Sequence, residues 1–314
     1  MMNSIIDFGM IIAYTFIGPL PAYSIDTVHQ LRLFYDGPIY FTINDYENPI
    51  VRILQERYNV TIVRYDTVVD EHFTFTVDQF KHKFCIVESL KGREKIFIYA
   101  FERFFLLYNL MVQQNLSNVF FMELDNLVYD DPRRWETALA TKDMSFMFDN
   151  YDRGASGVCF LRSPQMLRKF CDKSLQFIQE SQDFMTEMTV LYRFWLGHRD
   201  DIFLMPVHWT DKTVPVEAYE QFDKFGDSIF DAASMGIYLG GMDPHHTGGV
   251  IQYKLKGKWS AIDYTNYTYI WKMDEQGRNI PYIGGADKLL RINNLHIHSK
   301  FLTPLLSKPI DFVA

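Results

Sequence analysis

The chain has 314 residues, 48% hydrophobic and 22% charged, enough to bury one large core or two small ones. Its net charge of -8 excludes a protein basic over its whole surface, the usual footprint of nucleic-acid binding, and leaves room for a local basic cleft. Cys85, Cys159 and Cys171 lack paired spacing, which excludes a disulfide framework or a cysteine zinc site and reads as reduced, mostly buried thiols.

The first element, Met10–Phe16, reads as a buried strand closed by the turn Gly18–Pro21. No Lys or Arg precedes Arg32, so the basic start of a secretory signal is missing. The run is also far shorter than the ~20 apolar residues of a membrane helix. The expectation is a chain without a transmembrane segment, located in the cytoplasm (the host cytoplasm for a viral chain).

Ser24–Tyr35 has the apolar period of a helix, Ile39–Ile43 reads as a strand, Pro49–Tyr58 as a helix and Val60–Arg64 as a strand. This alternation predicts parallel strands joined by crossovers. Phe101–Asn115 is an amphipathic helix and Val119–Met122 the buried strand after it. Arg133–Leu139 reads as helix, and Met144–Phe148 and Val158–Arg162 as strands. Ser163–Glu180 is a long helix capped by Ser163, and Thr186–Leu196 a further helix. Beyond Trp195 the texture turns to Gly, Asp, His and aromatics, with Lys254–Trp259 and Thr268–Met273 as short antiparallel strands.

Ligands of such sheets bind beyond the carboxyl ends of the strands. The residues after Val119–Met122 are therefore the first to weigh. Glu123 and Asp125 sit two apart and point to one side of an extended backbone. Two such carboxylates repel unless a cation or proton lies between them. Near the other end, Leu295-His296-Ile297-His298-Ser299-Lys300 places two imidazoles on one face of a strand. Carboxylate plus imidazole suits manganese or magnesium, and Lys300 adds an ammonium for an anionic phosphate. An isolated His-x-His is equally an ordinary surface strand.

The segment "FFMELDNLVYDDP" and the helix before it, "FERFFLLYNLMVQQNLSNV", resemble the metal-binding strand end of GT-A nucleotide-diphosphosugar glycosyltransferases. "LHIHSK" is similar to that family's late histidine motif. "FDAASMGIYLGGMDP" resembles a stretch in a little-characterised group of such proteins from microbes and large viruses. The resemblance implies an α/β fold with a mostly parallel, Rossmann-like central sheet flanked by helices. A smaller, irregular acceptor-side region would follow. It implies one domain, with residues 1–130 as the nucleotide-binding half and 131–314 completing the acceptor and metal side.

The same resemblance implies a UDP-linked sugar as donor, a glycan or protein hydroxyl as acceptor, and Mn2+ or Mg2+ as cofactor. Asp125 would bind the metal directly. Glu123, a departure from the family's Asp, would coordinate it or hold a ribose. His298 is the implied imidazole ligand, with His296 as the second candidate, and Lys300 would contact the diphosphate. Tyr14, Thr15, Asn44 and Asp45 would line the nucleotide, and Arg103 would reach the diphosphate. Asp231, Asp243 and Glu187 are candidate acids facing sugar or acceptor. Asp231 is equally suited to capping a helix, Asp243 to opening a Pro turn, and Glu187 to complementing a helix dipole. "RGASGVCFLRS" resembles the small-residue strand that floors a sugar pocket.

Competing readings meet specific obstacles. A sugar nucleotidyltransferase needs a Gly-rich basic loop after the first strand, and Ile17-Gly18-Pro19-Leu20-Pro21 has no Lys or Arg. A dehydrogenase needs G-x-G-x-x-G there. A non-catalytic sugar- or nucleotide-binding protein on the same scaffold draws its support from the Glu123 departure.

Overall fold

The computed structural model describes residues 9–69, 94–150, 152–182, 185–207, 215–218, 221–241, 264, 267–284 and 288–311. The expected strand Lys254–Trp259 and the residues Asp243 and Cys85 lie outside these. Thirteen strands are described, and seven form the central sheet: β1 (Ile11–Phe16), β2 (Ile39–Ile43), β3 (Thr61–Arg64), β4 (Val119–Met122), β6 (Met144–Asn150), β7 (Arg153–Leu161) and β8 (Ile202–Met205). Their order is β3-β2-β1-β4-β7-β6-β8. All neighbouring pairs are parallel except β4–β7 and β7–β6.

The chain thus forms the expected mixed α/β fold with a mostly parallel sheet. It departs from the 3-2-1-4-5-6 order of dinucleotide-binding sheets because β7 is slotted antiparallel beside β4. Only two residues separate β6 from β7, too few for a crossover to a parallel strand, so β7 must turn back. Its first half, Gly154–Gly157, escapes a reading by strand propensity because it carries almost no side chain.

The helices are α1 (Ser24–Arg32), α2 (Pro49–Tyr58), α3 (Tyr65–Val68), α4 (Glu94–Gln113), α5 (Glu136–Leu139), α6 (Pro164–Glu180), α7 (Glu187–Gly197) and α8 (Ser234–Gly240). Asn48 caps α2 by accepting from the Ile50 N–H at 3.0 Å. On length and composition, Lys95–Gln113 could cross a membrane, yet more than half of it is buried within the fold. The reason is an aromatic seam. Phe104 of α4 meets Phe121 of β4 at 6.0 Å and Phe170 of α6 at 4.9 Å, and Phe170 meets Phe194 of α7 at 5.4 Å.

Phe120, one residue earlier, points to the other face of β4, as strand alternation requires. It meets Trp135 at 5.5 Å, and Trp135 meets Phe230 at 4.9 Å. Each seam anchors a polar group next to it in the chain: Arg103 precedes Phe104 of the first, and Asp231 follows Phe230 of the second. Cys159 and Cys171 are buried free thiols.

The C-terminal region is more regular than its composition suggests. β10 (Thr268–Met273), β11 (Asn279–Gly284), β12 (Leu289–Ile292) and β9 (Ser228–Ile229) form a four-stranded sheet in that order. The antiparallel partner of Thr268–Met273 is Asn279–Gly284. A two-stranded ribbon pairs β5 (Asn126–Val128) with β13 (Asn294–His296), antiparallel.

Candidate functional site

The sequence order of the sheet reverses at β1, so the crevice beyond the carboxyl ends of β1 and β4 is the place where such folds bind ligands. β4 ends at Met122, and the chain turns at once: the Glu123 N–H donates to Gly157 C=O at 2.9 Å and the Asn126 N–H to Glu123 C=O at 3.1 Å. The β5–β13 ribbon then sets His296 opposite Asn126, and the Ile297 N–H donates to Asp125 C=O at 2.7 Å. Two segments far apart in sequence become neighbours.

Ligand atoms of Glu123, Asp125 and His296 consequently lie within 4.8 Å of one another. His296 Nε2 stands 3.2 Å from Glu123 Oε2 and 3.2 Å from Asp125 Oδ2. Its other nitrogen, Nδ1, is 3.1 Å from Ala232 C=O. With Nδ1 donating to that carbonyl, loss of the second proton would leave an Nε2 lone pair facing the acids, the tautomer of a metal-binding imidazole. Two carboxylates and one imidazole arranged so fit a divalent cation with mixed oxygen and nitrogen ligands.

Charge balance holds the cluster together. Arg103 pairs with Glu123, donates to Ser156 Oγ at 2.8 Å and lies 3.8 Å from Glu187 Oε1. Burial opposes its charge, but Glu123 and Glu187 outweigh it and raise its pKa. Burial likewise opposes ionisation of Glu123, yet Arg103 and His296 bring that carboxyl down to about 2. Lys300 pairs with Asp125, and despite burial His296 and Lys300 hold Asp125 well below the usual carboxylate range. Burial works against a charged His296 as well, but Asp125 and Glu123 raise its pKa well above the ordinary value.

No family model matches the chain, and no curated protein matches it by sequence. Solved structures match in part. One is described as PaToxG Glycosyltransferase, at 12% identity and a TM-score of 0.40, over 60% of this chain and 69% of that one. Mouse xyloside xylosyltransferase 1 in its apo form matches at 10% identity and a TM-score of 0.39, over 69% of this chain and 92% of that one. The apo-form glycosyltransferase GlyE of Streptococcus pneumoniae TIGR4 matches at 12% identity and a TM-score of 0.36. There the match spans 60% of this chain and less than half, 43%, of GlyE.

Of the residues singled out in the sequence, the structure gathers Glu123, Asp125, His296, Lys300, Arg103 and Glu187 into one cluster. Several placements correct the expectations. The imidazole between the acids is His296, not His298. The His298 ring packs against it with centroids 4.5 Å apart, its Nε2 buried without a hydrogen-bond partner among the described residues. Burial and the neighbouring His296 push its pKa down to about 3, so it is neutral.

Tyr14 is fully buried against Phe41 at 5.5 Å, with its hydroxyl directed at Met122 Sδ, and offers no surface to a nucleotide. Thr15 reaches the crevice end of β1, and its Oγ1 is without a partner among the described residues. Asn44 and Asp45 brace the loop after β1. Asn44 Oδ1 accepts from the Gly18 N–H at 2.8 Å, and Asp45 Oδ2 from the Leu20 N–H at 2.8 Å. Arg103 is closed on two carboxylates and a serine, which makes it a support for Glu123.

Asp231 is wholly buried, and its oxygens accept from the backbone N–H groups of Met235 (2.9 Å), Gly236 (2.6 Å) and His296 (3.0 Å). It takes the capping role, fastening α8 to β13, and a carboxylate so occupied is no base. Burial nonetheless raises its pKa, although those three donors oppose the shift.

Ser156, expected in the floor of a sugar pocket, instead accepts from Arg103. Two residues were missed. The carbonyl of Ala232 orients His296, and nothing in a sequence marks a backbone acceptor. Asp149, near the end of β6, is buried and 3.2 Å from Arg153. The rule that directed attention to Glu123, an acid at the carboxyl end of a strand, applies to it equally.

Proposed function

We propose that this chain is a metal-dependent glycosyltransferase, moving a sugar from a nucleotide-diphosphate sugar, with uridine diphosphate as the nucleotide, to a hydroxyl of a glycan or protein. The observation that carries the reading is the Glu123–Asp125–His296 cluster, set at the crevice beyond β4 with the Lys300 ammonium on Asp125. Two carboxylates and an imidazole at that place suit a divalent cation that also takes a substrate's phosphate oxygens.

Asp125, His296 and Glu123 would hold the cation, manganese or magnesium. When bound it would supply Lewis-acid stabilisation of charge gathering on the departing diphosphate. The chain's own residues do the rest. Arg103 fixes the Glu123 carboxylate in rotamer and charge. Ala232 fixes the ring of His296. Lys300, whose side chain is 38% exposed, reaches from the rim and neutralises a phosphate oxygen as the glycosidic bond lengthens.

The small residues of β7 serve the site from behind: a Cβ on Gly157 would meet His296 Nδ1 at 3.0 Å, so the glycine makes room for that ring, and Ser156 holds Arg103. Glu187 opens α7 within the same charge network, and burial, opposed by Arg103, raises its pKa. It is the acid we assign to the sugar side.

Calorimetry with uridine diphosphate tests the reading. Binding should require manganese and vanish in Asp125→Asn. Equal binding with and without manganese would refute the metal-linked nucleotide site.

A further inference from the structure

Asp125 Oδ2 is claimed twice. His296 Nε2 lies 3.2 Å from it and the Lys300 ammonium pairs with the same oxygen. A divalent cation set between Asp125 and His296 would meet the oxygen nearest Nε2, and two cations on one carboxylate oxygen repel each other. The Lys300 backbone is in the left-handed region, at φ 63°, a conformation disfavoured for any residue with a Cβ. It ends a turn in which the Lys300 N–H donates to Ile297 C=O at 3.1 Å. The turn thereby delivers the ammonium over the acids.

Exposure separates Lys300 from Arg103, the guanidinium of the network. Its side chain is 38% exposed, against 12% for Arg103, which is tied to Glu123 and Ser156 on the inner side. A cation arriving from solvent therefore meets Lys300 first. The long flexible stem of a lysine can swing away without disturbing the turn that carries it.

We infer that Lys300 is a built-in stand-in cation, displaced when a divalent ion loads, and that this makes metal and diphosphate bind as a linked pair. This rests on the metal-dependent reading above and extends it to how the site is filled. With the metal alone, Lys300 is evicted from Asp125 and has no carboxylate to return to. With metal and diphosphate together, the ammonium exchanges one anion for another. The coupling is reciprocal: each ligand raises the affinity of the other. It also weakens the binding of free divalent ions when no nucleotide sugar is present.

The test is calorimetry on the full chain with manganese alone, then with uridine diphosphate at saturating manganese, for the parent and for Lys300→Met. The methionine variant should bind manganese alone tighter by roughly tenfold and uridine diphosphate weaker by a similar factor, within the usual range of coupling between sites. Opposite signs are the signature, since a merely structural lysine would weaken both. Lys300→Arg, which keeps the charge, should behave like the parent and serves in place of the methionine variant's contrast if that variant unfolds, with Lys300→Gln as the neutral form. Manganese affinity unchanged or reduced in the neutral variants overturns the stand-in role alone. No manganese binding by the parent or the neutral variants overturns the metal reading itself.

Discussion

Gly236 packs so closely on the backbone of His296 that a Cβ placed on it would overlap the histidine's carbonyl oxygen and carbon. This contact seats α8 against β13 and, with Asp231 on the His296 N–H, fixes the height of the imidazole over the acids. Gly236→Ala should cost about 1–3 kcal/mol, as overpacking does, and weaken manganese binding at the same time. Thermal unfolding beside calorimetry reads both. A variant as stable as the parent with unchanged metal affinity would show that the helix is not what positions His296.

Arg103 is shared by Glu123 and Glu187, and all three side chains are at most 22% exposed. Its removal leaves Glu187 without an ion-pair partner among the described residues and Glu123 with His296 alone. Arg103→Met should therefore destabilise the fold by roughly 3–5 kcal/mol. Adding Glu187→Gln should return part of that loss, giving a double-mutant cycle that is clearly non-additive. Additive effects would mean that the two acids do not depend on the same cation.

Metal binding should release protons. In the metal-free protein the acids hold His296 protonated well above the ordinary histidine range, whereas a ligand imidazole is neutral at Nε2. Calorimetry near neutral pH in buffers of different ionisation enthalpy should show about one proton released per manganese bound. Affinity should rise with pH. His296→Gln should bind more weakly and release none. Proton-neutral binding by the parent would remove His296 from the ligand set.

Burial raises the pKa of Asp149 to about 6, with Arg153 opposing the shift. A carboxyl whose folded pKa lies above its unfolded value of 3.8 binds more protons when folded. Stability therefore falls as pH rises from about 4 through 6, and the full cost, on the order of 2–3 kcal/mol, persists above that. Asp149→Asn should show a melting-temperature difference from the parent that shifts in the variant's favour between about pH 4 and pH 7. A difference independent of pH would place the titration elsewhere.

Much of the sheet was legible because its strands are buried apolar runs. Ile39–Ile43 and Val119–Met122 have the predicted bounds, and the alternation of strand and helix fixed β1, β2 and β3 as parallel. β8, with four fully apolar residues, went unread amid the change of texture after Trp195, and β7 lost its glycine-rich half for want of side chains. At the site, residue chemistry pointed to Glu123, Asp125 and the His-x-His. Which imidazole meets the acids depends on the β5–β13 register, and register is set by pairing between segments some 170 positions apart. Asp231 looked like an acid in a Gly-rich loop. The cap was the other reading its position allowed, and the three N–H groups folded onto it decide for the cap.

The most direct test of the account is a screen of nucleotide sugars for manganese-dependent hydrolysis by the parent and by Asp125→Ala. The account predicts turnover of at least one uridine-linked sugar. That turnover should stop with chelator, return with manganese, and fall by at least about a hundredfold in the variant. Hydrolysis that survives both chelation and loss of Asp125 would contradict it.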